Sequence, residues 1–295
     1  MRALLHAFLV ILGGCSFGLL APIVKLGALH GISTADSTRM QLFIGFSLLL
    51  IINLFFVRYR LKRNTFIKLL FSGIPMGLTT TFIYKSLNYL DASIAIILLF
   101  QYVWMGLVAE LILTKQKPTK EKIISASLVL IGSLFAVNIF DAQFAHLPLI
   151  GIVWGLLAAV SFAAFLFVSG QVATYVPPLR KSMVMALGGL ISILIIYPPT
   201  DISLLETNVQ FWTHGLILGV FGAVLPPLLF SISMPVVGNA LGTILSSSEL
   251  PTTIIMSAII LSEHISSFQV IGIIIIMCAI VLANVPHLKR SKART

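Results

Sequence analysis

The chain has 295 residues, of which 58% are hydrophobic and 9% charged, and its net charge is +10. A soluble domain carries about 25% charged residues, so this chain cannot build a water-facing surface and must be solvated mostly by lipid. Its basic residues sit in short segments between apolar runs, which is the pattern of membrane topology and argues against nucleic acid as a partner.

Arg2 opens the chain and an apolar stretch follows as far as Lys25. A secretory h-region is only about 7–15 residues long, so this stretch is expected to stay as the first helix. Crossing the hydrocarbon core takes roughly 20 apolar residues. Barrel strands would alternate apolar and polar residues, and these runs do not. The expected helices are 4–25, 39–57, 67–85, 92–114 and 121–140 in the first half, then 147–174, 181–198, 211–234, 239–261 and 267–286 in the second. The uncharged run from Thr207 to Ser248 is too long for one helix; Pro235, Gly238 and Asn239 give its turn signal, while Pro226-Pro227 is expected to kink the eighth helix without ending it. The chain thus reads as an all-α integral membrane protein of ten transmembrane helices.

Charge sorting supports that count. With a cytoplasmic N-terminus, 16 of the 19 Lys and Arg fall on the inner side, leaving Lys25, Arg39 and Lys85 near the outer one. Both termini are then cytoplasmic. A shift of 147 residues aligns Ser86–Ser93 and its helix with Ser233–Ala240 and its helix, bringing Ile97-Leu98 onto Ile244-Leu245. Ten helices divide into five and five, and an odd repeat inverts its partner in the membrane, as transporters do around a midplane site. The expected units are 1–143, 144–288 and a basic cytoplasmic tail, 289–295.

The stretch Tyr84-Lys85-Ser86-Leu87-Asn88-Tyr89-Leu90-Asp91-Ala92-Ser93 resembles the junction of the third and fourth helices in EamA-type carriers of the drug/metabolite transporter superfamily. Leu261–Gly272 is similar to that family's element joining its last two helices, and Glu249-Leu250-Pro251 to its proline-containing ninth helix. Lys25 and Arg39 match as well, whereas Trp104 stands where the family often has proline and Gln116 where it often has glutamate. The resemblance implies two inverted EamA repeats and a carrier of small metabolites, with export favoured, in the cytoplasmic (inner) membrane.

Ionisable groups inside a membrane helix are costly and need a reason. Glu249 lies about ten residues into the ninth helix, near mid-depth. It reads either as a protonatable group in a central cavity or as a carboxyl tied to Ser246, Ser247 or Ser248. Its counterpart under the 147 shift is Tyr102, and Gln101, Tyr102 and Trp104 together would give an amide, a phenol and an indole to a solute pocket, or ordinary helix packing. Tyr84 and Thr79-Thr80-Thr81 are further pathway candidates, with Ser246 beside Glu249. Lys25, Arg39 and Glu110 are gate or coupling candidates; the first two would otherwise snorkel to the outer surface, and Glu110 would pair with Lys115 or another basic residue. His214, Asn138, Gln171 and Asn239 read as packing or interfacial groups, and Glu263-His264 as holders of the last turn. Cys15 and Cys278 read as small core residues. Gly13, Gly14 and Gly18, Gly73 and Gly77, and Gly215, Gly219 and Gly222 mark close helix crossings.

No metal site, prosthetic cofactor or phosphate-binding loop is implied. The expected partners are a small-molecule solute, protons and the lipid bilayer. A membrane enzyme would need clustered His, Asp or Glu, and a channel a selectivity filter; neither motif is present in the sequence.

Overall fold

Long apolar runs bounded by turn residues become long helices, and local chemistry decides where each begins, bends and stops. In the computed structural model of the chain, residues 2–90, 92–115, 117–138, 148–198 and 209–292 are described. The expected 143/144 junction, Gln116, Asp91 and the end of the basic tail, 293–295, lie outside them. The described elements are α1 (Arg2–Gly18 and Leu20–Leu29), α2 (Thr34–Phe56), α3 (Arg63–Leu87), α4 (Ala92–Phe100 and Tyr102–Thr114) and α5 (Lys120–Ala136). There follow α6 (Leu149–Gln171), α7 (Pro178–Ile196), α8 (Val209–Leu218, a π-turn Gly219–Val224, and Leu225–Val237), α9 (Asn239–Ser246 and Glu249–Leu261) and α10 (Ser267–Lys292). Among the described residues, nine helices are long and apolar enough to cross a membrane. The remaining one, α5, has 17 described residues, at the short limit of a span.

Ser33 caps α2 by accepting from the Asp36 N–H at 3.0 Å, and Pro177-Pro178 opens α7, where a missing N–H costs nothing. Gly238, at φ 83°, makes the turn between α8 and α9 in a conformation that favours glycine. Pro235 stays inside α8, and Pro226-Pro227 follow a π-turn without ending the helix. That turn lets Ser16 of α1 donate to the Phe221 carbonyl at 2.6 Å. Three breaks were not expected: at Leu19 in α1, at Gln101 in α4 and at Ser247-Ser248 in α9.

The pairings across the bundle come in matched sets. α3 packs on α6 and α7, and α8 packs on α1 and α2; α4 packs on α6, and α9 on α1. α2 meets α7, α4 meets α9 and α5 meets α10. Small residues make the crossings possible. A Cβ on Gly73 would meet the Met185 carbonyl at 1.9 Å, and one on Gly188 the Leu70 carbonyl at 1.9 Å. Gly45 lies against Ala223, and Gly14 and Gly18 lie against the α9 break. Outward faces carry apolar side chains, such as Leu54, Phe55 and Ile195, which suits lipid contact. Cys278 is exposed on α10 and Cys15 half-buried, so Cys278 is not a core residue.

Two ends follow from this weave. One, the basic end, carries the turns with Arg58–Arg63, Lys115 and Arg180. Arg180 there donates from Nε and Nη2 to the Tyr59 carbonyl at 3.2 and 3.0 Å. The other end carries the 30–33 and 262–266 turns, tied by the Lys25–Glu263 ion pair.

Candidate functional site: a cavity around Glu249

A cavity of about 430 Å³ lies among α1, α2, α3, the first half of α4, α6 and the second half of α9. Its mouth faces the end opposite the basic one, where Lys25, Ala28, Thr34 and Leu87 line it and are exposed. Its floor is aromatic. Phe17 meets Phe162 and Phe165 with ring centroids at 5.7 and 6.4 Å, and the buried Phe230 lies 6.0 Å from Phe17. The side walls are apolar, including Leu20, Met76, Ile83 and Leu99.

Glu249 lines this cavity at the start of the second half of α9. The α9 break puts it there. Ser246 and Ser247 donate to the carbonyls of Thr243 and Ile244 at 2.9 and 2.5 Å, competing with the helix ladder, and Ser248 donates to the Ile11 carbonyl of α1 at 2.9 Å. Pro251 removes one more backbone donor in the next turn. The serines are thus spent on carbonyls, not on the carboxyl. Glu249 Oε2 is buried and meets no hydrogen-bond partner. An orphan carboxylate oxygen in an apolar chamber is costly unless a proton or a cation reaches it.

The other candidates separate into three groups. Tyr84 and Lys25 line the cavity with Glu249; Lys25 is committed to Glu263. Tyr102 sits behind the wall, fully buried, its ring edge-on to Phe162 at 4.7 Å and its hydroxyl 3.2 Å from Ser246 Oγ. Gln101 and Trp104 pair with each other, the indole N–H donating to Gln101 Oε1 at 2.9 Å, with Trp104 42% exposed on the outer face of α4.

Glu110 and Arg39 lie at opposite ends, away from the cavity. Glu110, buried at the basic end, accepts from the Ala240 N–H at the start of α9 and from Lys122 Nζ at 3.2 Å, so its partner is Lys122 and not Lys115. Arg39 does not snorkel: its side chain is 12% exposed, held by Asp36 at 2.6 Å and by the Pro198 carbonyl at 3.4 Å. His214 is buried beside Ser37 at 3.0 Å, as a packing residue would be. Asn239 is buried and its side-chain amide has no partner, unlike an interfacial cap.

Sequence reasoning passed over Gln41, Thr253 and the phenylalanines Phe17, Phe162 and Phe165, all of which line the cavity. Gln41 alone carried a signal, as an amide in an otherwise apolar stretch of α2.

A multi-pass bundle of apolar helices enclosing a half-open cavity with one orphan acid defines a membrane protein that handles small solutes. The family model of the EamA-like transporter family matches twice, over residues 4–138 and 149–285, and the chain belongs to that family of membrane transporters. Its fold is similar to that of a protein known by crystal structure, at TM-score 0.77 and 14% identity over 96% of this chain and 97% of that one, a likeness of fold alone. Among curated proteins none matches.

Proposed function

We propose that the chain is a secondary active carrier that moves a small metabolite across the cytoplasmic membrane by alternating access, with export favoured and Glu249 exchanging the solute for a proton. The observation that carries this reading is the orphan Glu249 oxygen in an apolar cavity open to one end. A carboxyl so placed can be neutral when protonated or can pair with an ammonium group, and it is disfavoured as a bare anion. The solute is an amine, an amino acid or a related compound. An amine with a compact apolar body fits best, because Lys25, the cation at the mouth, is already bound to Glu263.

The carrier has ten transmembrane helices in two inverted repeats, 1–143 and 144–288, with a basic tail 289–295 and both termini cytoplasmic. The matched helix pairings support the repeat. So does the 147-residue shift, which carries Gln101 onto Ser248 and so one helix break onto the other. The lysines and arginines of the basic end support its cytoplasmic placement.

Counterflow in proteoliposomes, with labelled 2-phenylethylamine, leucine, putrescine and adenine, tests the reading. Saturable exchange of the amine, lost in Glu249→Gln, is expected. No exchange of any probe by folded protein contradicts it.

A further inference from the structure

The 147-residue shift that relates α4 to α9 also relates two side-chain pairs at opposite ends of the bundle. At the basic end, the buried Glu110 of α4 and the half-buried Lys122 of α5 form an ion pair, and Glu110 also takes the first turn of α9. The corresponding residues at the other end are Ser257 of α9 and Gln269 of α10. Both are shorter or uncharged, and where the ion pair closes one end, they line a hollow at the other. This second chamber has a volume of about 150 Å³, several times the roughly 30 Å³ that a water occupies in the liquid. Glu263 and His264 line it and are exposed at the surface. Leu250 and Thr253 line both it and the Glu249 cavity.

The polar groups of α9 are placed in step with that geometry. Glu249, Thr253 and Ser257 recur every fourth residue, so they share one face of a largely apolar segment in which Thr252 is the other polar residue. Their rise spans roughly 12 Å along the axis, from the Glu249 cavity to the chamber. Among the described residues, Thr253 is the one polar side chain that borders both spaces, and its hydroxyl donates to the Glu249 carbonyl at 2.9 Å, leaving its lone pairs to accept.

We propose that the chamber admits water and, through Thr253, gives the Glu249 carboxyl a proton route to solution separate from the solute mouth. The inference rests on the carrier reading for its purpose, and on the ladder and the chamber for its path. A proton leaves the Glu249 carboxyl, passes by the Thr253 and Ser257 hydroxyls and intervening water, and emerges beside His264. The carboxylate left behind pairs with the ammonium of the solute, and the reverse transfer releases it. The ionisable groups facing Glu249 are Lys25 of α1, Tyr84 of α3 and Tyr102 of α4. Glu263 and His264 stand at the far end of the ladder, and Ala136 at the end of α5 and Val137 after it bring no ionisable group. A proton path of its own would let the solute and the proton reach one carboxyl without passing each other in the mouth.

The path is tested without any solute by thiol labelling. In a Cys15→Ala, Cys278→Ala background, Ser257→Cys is expected to react with 2-aminoethyl methanethiosulfonate at least about tenfold faster than Ile255→Cys, whose position faces lipid, where thiolate does not form. Equal rates overturn the chamber as a wet space. The use of the path is tested by transport. Ser257→Leu fills the chamber, and Thr253→Val removes the shared hydroxyl while keeping its shape. In both, accumulation of labelled 2-phenylethylamine driven by a pH gradient is expected to fall at least about tenfold; in Ser257→Leu, which lies outside the solute cavity, counterflow at equal pH is unchanged. Undiminished gradient-driven accumulation in either variant, or equal loss of both activities in Ser257→Leu, overturns the separate route. Absence of counterflow in the wild type overturns the carrier reading for this amine, and the labelling result still decides the chamber.

Discussion

The helices α4 and α9 use one backbone device for two chemistries. Each is broken near its middle, at Gln101 and at Ser247-Ser248, and each second segment runs 13 residues. Each ends on a left-handed residue, Lys115 at φ 58° and Ser262 at φ 55°. The first residue after the break is Tyr102 in one and Glu249 in the other. Tyr102 is buried against Phe162 with its hydroxyl at Ser246, so its polar atom is spent. Glu249 lines the cavity with Oε2 unmatched. The geometry of a broken helix is thus shared structure, and the unsatisfied group on one copy is where function concentrates.

The sharpest way to break this contrast is to neutralise the acid. Glu249→Gln keeps the shape and removes the exchangeable proton. Proton-driven uptake in proteoliposomes is expected to fall at least about tenfold, with the thermal unfolding midpoint in detergent unchanged or raised, because no bonded partner is lost. A second contrast lies between the two ends. Glu110→Ala strands the buried Ala240 N–H and removes the partner of Lys122, and is expected to cost about 1–3 kcal/mol in thermal unfolding. Ser257→Ala, at the corresponding place beside the open chamber, is expected to cost far less.

Smaller effects sharpen the same comparison. Tyr102→Phe removes one neutral hydrogen bond and should lower stability by about 1 kcal/mol, with counterflow retained. Trp104→Ala, on the outer face of α4, should change stability by no more than about 0.5 kcal/mol and leave counterflow intact.

Much of the architecture was readable from the sequence because lipid imposes a simple rule. The spans 92–114 and 239–261 coincide with the limits of α4 and α9, since turn and charge signals flank both. The breaks inside them were not readable. The break in α9 depends on serine hydroxyls choosing carbonyls and on α1 pressing Gly14 and Gly18 into it, which are tertiary events. The site divides in the same way. Glu249 announced itself as a charge in an apolar run. Gln101 and Trp104 looked equally suited to a solute, yet helical phase turns them outward to bond each other. The floor of Phe17, Phe162 and Phe165 joins two distant helices, and single apolar residues carry no mark of such a meeting.

The central claim is that Glu249 trades a proton for the solute. It is tested most directly by recording proton movement with a pH-sensitive dye trapped in proteoliposomes while 2-phenylethylamine is added outside. The expected result is a proton flux opposite to the amine in the wild type and none in Glu249→Gln. A Glu249→Gln protein that moves amine and protons as the wild type does would contradict the account.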